Sequence, residues 1–92
     1  MNAERAAELA TDGLIWLAGR PEDMARFLDA TGAGPGDLRR RAGEPEFLGF
    51  VLDFLLGDED LARDFAQGAG LAPEDALRAR MLLPGGALPN WT

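Results

Sequence analysis

The sequence predicts an all-α protein: a compact orthogonal bundle of about six short helices around a buried central helix at about residues 45–56. Three observations support this prediction. Prolines stand just inside the expected helix starts and glycines just past the ends, which is the usual asymmetry of helix termini. No segment alternates apolar and polar residues as a half-buried strand does. β-branched residues, which strands favour, are scarce.

The first three helices follow from their end signals. Asn2 is a good N-cap for the first helix, which should stop at Gly19. Proline opens the second and third helices and glycine closes them, and the third carries an acidic first turn and a basic last turn, as the helix dipole favours. The predicted bounds are residues 2–18, 21–32 and 35–43.

The last three helices use the same signals. Pro45 opens the fourth helix, Asp58 caps the fifth, and Pro73 opens the sixth, which Pro84 terminates. The remaining residues, rich in glycine and proline, predict an extended tail. With 92 residues the chain has room for a single domain, which we place at residues 1–84, with the tail at 85–92.

The fourth helix should lie in the middle of the bundle, since it is apolar on almost every face. Only a narrow row interrupts its apolar surface: Glu46, Gly49, Asp53 and Gly57. We expect three other helices to cover it with Met24, Phe27 and Leu28 from the second, Leu61, Phe65 and Ala66 from the fifth, and Ala76, Leu77 and Met81 from the sixth.

The first helix carries two adjacent apolar rows, which is more than one contact requires. One row is mostly alanine and the other contains Gly13 and Trp16, while Ile15 lies near the polar side. Part of this helix is therefore expected to meet a second chain, with Ile15 and Trp16 as candidate interaction residues and a homodimer as one possible result.

The composition excludes most catalytic chemistry. The chain has no Cys, His, Lys, Ser or Tyr, so the usual nucleophiles and the imidazole acid or base are absent. A zinc or iron site built on Cys or His is excluded as well. We therefore expect no enzyme activity, no catalytic residue, no cofactor and no metal site.

Two features point to alternative functions. The acidic run Asp58, Glu59, Asp60 and Asp64, with Asp53 one turn earlier, has the oxygen ligands that magnesium or calcium prefers. Helix capping explains the same run more simply, so a carboxylate- or metal-dependent enzyme ranks third among the functions considered.

The second alternative is a transcriptional regulator, because residues 65–77 resemble a helix-turn-helix with glycine in the turn. In that case Arg78 and Arg80 should contact DNA. Residues 44–92 contain few arginines and many carboxylates, and the second helix of the motif starts with Glu74 and Asp75, so nucleic acid is an improbable partner.

Two further regions are candidate interaction sites. Arg39, Arg40 and Arg41 form a concentrated positive patch that suits an acidic surface, although basic residues at a helix C-terminus need no partner. Leu88 and Trp91 are large apolar residues in the tail, which would anchor it on its own domain or on another protein.

The N-terminal segment is acidic and amphipathic, unlike a secretory signal, and no apolar stretch is long enough to span a bilayer. Together with the absence of cysteine, this predicts a cytoplasmic protein with no membrane contact.

Several segments together resemble a bacterial family of small proteins described as domain of unknown function 3572. The resemblance covers almost the whole chain, and its most specific element is Val-Leu-Asp-Phe-Leu-Leu at 51–56 with the acidic cap after it and Gly-Leu-x-Pro-Glu at 70–74. It implies one helical domain in the bacterial cytoplasm and brings no activity with it. The leading interpretation is a non-catalytic protein-interaction or regulatory module.

Overall fold

A computed structural model describes residues 1–72 and 74–84. These residues form α-helices and one short 3-10 helix, with no strand among them. The all-α prediction is confirmed. The helices are α1 (Ala3–Ala18), α2 (Pro21–Thr31), a 3-10 turn (Pro35–Asp37) that continues into α3 (Leu38–Arg41), α4 (Pro45–Leu56), α5 (Glu59–Ala69) and α6 (Asp75–Met81). The boundary predicted at residues 84 and 85 adjoins a segment outside the described residues, and it stays a prediction.

The helix ends follow the signals that the sequence contains. Asn2 accepts a hydrogen bond from the Arg5 amide at 2.8 Å, and Asp58 accepts one from the Asp60 amide at 2.9 Å. Gly32 and Gly70 end α2 and α5 with φ angles of 73° and 68°, where a side chain would be strained. These four predicted caps are confirmed, whereas α3 ends at Arg41 before Gly43, α6 ends at Met81 before Pro84, and Pro73 lies outside the described residues.

Helix α4 is buried along most of its length, as predicted. Phe47, Val51, Leu52 and Leu55 have no exposed surface, and Phe27 of α2 packs edge-to-face on both Phe47 and Phe54 with ring centroids 5.5 Å apart. Such aromatic pairs contribute beyond the apolar area that they bury. The radius of gyration, 12.2 Å, is close to the value of about 12 Å that a folded domain of this length should have.

Helix α1 is as central as α4, which the sequence analysis did not predict. It packs against α2, α4, α5 and α6. Residues from both of its apolar rows are buried: Ala6, Leu9, Ala10, Gly13, Leu14 and Leu17. Neighbouring helices within the monomer therefore cover much of both rows, while Ile15 stays exposed, so the expected contact of part of α1 with a second chain remains a prediction.

Helix α6 is rotated relative to the prediction. Leu77 and Met81, which were expected in the core, are each 53% exposed, whereas Ala76, Ala79 and Leu83 are buried. The small alanines allow α6 to lie close to α1 and α4, and this rotation also turns Arg80 toward α4. The two large residues consequently lie on the outer side.

The contact between α1 and α4 depends on Gly13. A Cβ atom at this position would lie 2.9 Å from Leu55 Cδ1 and 3.4 Å from Val51 Cγ1, and both of those side chains are fully buried. In a densely packed core these atoms have little room to move. Glycine is therefore required here for close approach of the helices rather than for an unusual backbone angle.

We expect Gly13→Ala to lower the free energy of unfolding by about 1 kcal/mol, because overpacking costs about 1–3 kcal/mol and exceeds the gain in helix propensity. Gly68→Ala is the matched control. Its Cβ would meet only Trp16 Nε1, at an ordinary 3.6 Å, so the change should stabilise the protein by about 0.5 kcal/mol. Urea denaturation followed by circular dichroism measures both. Equal effects at the two positions would contradict the close contact.

Candidate functional site

The outer face of α4 carries an exposed aromatic residue. Phe50 is 46% exposed, although the other large apolar residues of α4 are buried or partly buried. It lies between Glu46 and Phe54 along the helix, so it belongs to the side of α4 that turns away from α1. An aromatic side chain that the described fold leaves nearly half exposed is a candidate for contact with another molecule or segment.

Phe50 lines a groove between α2 and α4 with a volume of about 390 Å³. The residues around it are Ala30, Thr31, Phe50, Asp53 and Phe54, and we call it the α2–α4 groove. The Thr31 hydroxyl donates to the Phe27 carbonyl oxygen at 3.0 Å, so its polar group is already used within α2. Apart from Asp53, the groove therefore presents an apolar surface.

Asp53 forms the border of the groove toward α6. Arg80 donates from Nε to one oxygen of Asp53 at 2.5 Å and from a terminal nitrogen to the other at 3.1 Å. The Arg80 side chain is only 12% exposed and lies over Gly49, where a Cβ would be 3.1 Å from its nitrogen. Its remaining terminal nitrogen donates to the Pro84 carbonyl oxygen at 3.0 Å. One guanidinium thus links α4, α6 and the chain after α6.

Phe54, which lines the groove, is in contact with an arginine network at the start of α2. Arg26 lies over the Phe54 ring at 5.6 Å and donates to Asp23 at 2.9 Å, and Arg20 donates to the same carboxylate at 2.7 Å. The hydrogen bond from Arg20 is the main cause that holds the pKa of Asp23 below its usual value; partial burial opposes it and Arg26 reinforces it. This network ties the start of α2 to the body of the protein.

Most of the arginines form ion pairs with carboxylates of the same chain. Among the described residues, which include every arginine and carboxylate side chain of the sequence, only Arg39 and Arg78 lack an ion pair. Half of the carboxylates have no arginine partner: Glu4, Asp12, Glu22, Asp29, Glu46, Glu59, Glu74 and Asp75. With a net charge of −7, the surface that another molecule meets is acidic.

The two candidates on α1 lie in different environments. Ile15 is 65% exposed, as an interaction residue should be. Trp16 is half-buried: its ring packs on Phe65 with centroids 5.6 Å apart, and the Arg20 guanidinium lies 4.6 Å from its centre. Trp16 is therefore largely engaged within the monomer, and the two residues do not form one apolar patch.

The arginine patch is also divided. Arg41 lies over the Phe47 ring at 4.9 Å and pairs with Glu44 at 3.6 Å, while Arg40 pairs with Asp37 at 3.2 Å. Arg39 is exposed and has no ion pair among the described residues. Arg41 connects α3 to α4, so the positive surface offered to a partner is smaller than the sequence suggests. Leu88 and Trp91 lie outside the described residues.

The features behind the two alternative functions are occupied within the fold. Arg80, one of the two proposed DNA contacts, is bound to Asp53, and α6 packs against α1 and α4. In the acidic run, Asp58 caps α5, while Asp60 and Asp64 pair with Arg63. Within residues 1–72 and 74–84, no three carboxylates come close enough to hold a metal ion.

Phe50 is the site residue that sequence reasoning missed. It was assigned to the core with the other apolar residues of α4. The available signal was its position: it lies four residues after Glu46 and three before Asp53, on the same side of a helix as these two polar residues. The run of apolar residues around it concealed that placement.

The chain belongs to a protein family whose model matches residues 3–86 and is described as Protein of unknown function (DUF3572). No curated protein and no solved structure matches the chain. Among the described residues, no helix is both long and apolar enough to cross a membrane.

Replacing Arg80 tests the link between α4 and α6. Arg80→Met keeps the apolar stem but leaves Asp53 and the Pro84 carbonyl without their donor, so the free energy of unfolding should fall by about 1 kcal/mol. Arg63→Met removes only the exposed pairs with Asp60 and Asp64 within α5 and should change the free energy of unfolding by less than about 0.5 kcal/mol. Chemical denaturation of both variants gives the comparison, and a smaller loss for Arg80→Met would refute the assigned role.

The Asp23 network predicts a dependence on pH. Because the folded protein lowers the pKa of Asp23, the network stabilises the fold at pH values above the unfolded-state pKa near 3.8, and this contribution is lost as the pH falls through the lower folded value. Asp23→Asn should be less stable than the wild type at pH 7 and should lose less stability on acidification below about pH 4. Glu22→Gln, with no ion pair at the replaced group, is the control in urea denaturation across this range. Parallel acid profiles for wild type and Asp23→Asn would count against the network.

Proposed function

We propose that this chain is a non-catalytic protein-interaction module of the bacterial cytoplasm, and that its α2–α4 groove receives an apolar side chain of a partner with basic residues nearby. The observation that carries this proposal is the 46% exposure of Phe50 in that groove. An exposed aromatic residue in an apolar groove is the kind of feature that anchors protein interfaces.

The rigidity of the groove walls supports this function. Phe54 is held between the Phe27 ring and the Arg26 guanidinium, and Thr31 is fixed by a hydrogen bond to its own helix. A partner side chain would therefore meet a surface that is already arranged, which reduces the entropy lost on binding. The volume of the α2–α4 groove, about 390 Å³, lies near the lower end of the roughly 300–1,000 Å³ range of ligand pockets. A groove of this size suits one or two side chains.

Charge indicates the kind of partner. Glu46 is exposed one turn before Phe50 and has no ion pair, and many other carboxylates are likewise free of arginine. Basic residues around an apolar anchor would complement the negative electrostatic potential of these carboxylates and accelerate association at low salt. A second copy of the chain carries the same charge and is repelled, so the proposal favours a different protein over a homodimer.

The lack of catalytic activity is part of the same proposal. Without imidazole, thiol, amine, phenol or serine hydroxyl, the chain offers carboxylates as its only acid or base groups near the groove, and the Asp53 carboxylate is occupied by Arg80. Shape and charge are then the means by which the protein acts.

Site-specific crosslinking tests the proposed function. A photoreactive phenylalanine analogue in place of Phe50 should give a discrete adduct in the native cell, and peptide mapping should place the crosslink on an apolar residue flanked by Arg or Lys. The same analogue at Ile15, which is exposed on α1, is the matched control and should not give this adduct.

The affinity for the crosslinked partner provides a second test of the proposed function. For the purified partner, affinity should fall as salt is raised, and Phe50→Ala should weaken it about tenfold, as expected for the loss of one large apolar contact. An adduct on an acidic segment, equal crosslinking from Ile15, or affinity that is indifferent to both salt and Phe50 would each reject the proposal.

A further inference from the structure

The described part of the chain ends beside the α2–α4 groove. The Pro84 carbonyl oxygen accepts a hydrogen bond from Arg80, whose other nitrogens bind Asp53 at the groove border. The same oxygen would lie 3.4 Å from a Cβ on Gly49, the residue before Phe50. One guanidinium therefore separates Pro84 from the groove.

The composition of that segment suits an apolar groove. It contains Leu88 and Trp91 and no charged side chain, so docking it requires no charged side chain to lose its water. Trp91 is seven residues beyond Pro84, and an extended chain spans at most about 3.3–3.6 Å per residue. Its reach of roughly 24 Å is ample for a groove that begins next to Pro84.

We infer that the segment 85–92 docks in the α2–α4 groove of its own chain, with the Trp91 ring against Phe50 and Phe54. Because the segment is tethered at Pro84, its effective concentration at the groove is in the millimolar range, so a weak contact is sufficient for occupancy. The inference rests on the proposed function in one way: the docked segment would compete with the partner for the groove. A partner must therefore bind tightly enough to displace the segment.

A second groove at the other end of α4 is a poorer site for the segment. Leu56, Ala62, Arg63 and Leu71 are among its lining residues, and it has a volume of about 350 Å³. Leu56 is six residues beyond Phe50, or about 9 Å farther along the helix from the point where Pro84 lies. This groove is also bordered by the charged side chains of Glu59 and Arg63.

Tryptophan fluorescence tests the inference directly, because the full chain contains only Trp16 and Trp91. Trp16→Phe leaves Trp91 as the single reporter. We expect its emission to be blue-shifted relative to the urea-unfolded protein and to be protected from acrylamide quenching. In this background, Phe50→Ala should lower the ratio of docked to free segment about tenfold and move both readings toward the unfolded values.

Ala30→Gln provides a second variant. Ala30 is an exposed position of α2 that lines the groove, and Gln places a longer side chain there at only a small cost in helix propensity. It should have the same effect as Phe50→Ala, whereas Ile15→Ala should have none. Circular dichroism confirms that each variant is folded.

Three outcomes would overturn the inference: unfolded-like emission of Trp91 in the Trp16→Phe protein, protection that Phe50→Ala and Ala30→Gln leave unchanged, or protection that depends on protein concentration and so comes from a second copy. Each of these three outcomes is measured on the protein without a partner. If the fluorescence measurements contradict docking, the crosslinking result at Phe50 still decides the proposed function. If crosslinking fails, the fluorescence measurements still decide whether the segment docks.

Discussion

The rest of the fold depends on the close contact between α1 and α4. Helix α1 contributes small residues and α4 large ones, and Gly13 allows the two backbones to approach until Leu55 fills the space that a side chain would occupy. A chain of this size buries only about 60–70% of the surface that its unfolded form exposes. Helices α1 and α4, which cover each other's inner faces, therefore contribute most of the buried core residues, and the shorter helices pack around them.

This arrangement explains why the outer face of α4 is partly exposed. The inner face of α4 is committed to α1, so its outer face can be covered only from the sides. On one side α6 is short and contributes Arg80, which covers Gly49 and neutralises Asp53. On the other side α2 packs through Phe27 and leaves Phe50 beyond its reach. The groove is thus a consequence of how few helices surround α4.

The sequence predicted the helix ends better than the helix faces. Asn2, Asp58, Gly32 and Gly70 act through hydrogen bonds or backbone angles within one turn, so their effects can be inferred locally. The face that a helix buries depends on its rotation against its neighbours. For that reason Leu77 and Met81 were assigned to the core and Phe50 was not recognised as exposed.

The contacts of the candidate site could not be predicted from local sequence signals either. Asp53 and Arg80 are 27 residues apart in the sequence, so nothing local predicted their pairing, and both were considered as free surface groups. Conversely, Arg39, Arg40 and Arg41 are adjacent in sequence, which suggested one surface, yet a helix directs consecutive side chains to different sides. Only the packing of α3 on α4 decides that Arg41 is used within the fold.

Arginine as the sole cation connects the stability of the fold to the choice of partner. A guanidinium can donate to a carboxylate while its flat face lies on an aromatic ring, which the compact ammonium of lysine does less well. Arg20 on Trp16 and Arg26 on Phe54 use both contacts, and Arg41 lies on Phe47 with Glu44 as its ion-pair partner at 3.6 Å. These arginines are therefore engaged in contacts between helices, while unpaired carboxylates remain at the surface. The acidic field that would select a basic partner comes from the excess of 16 carboxylates over nine arginines, and the arginine contacts between helices determine where positive charge offsets it.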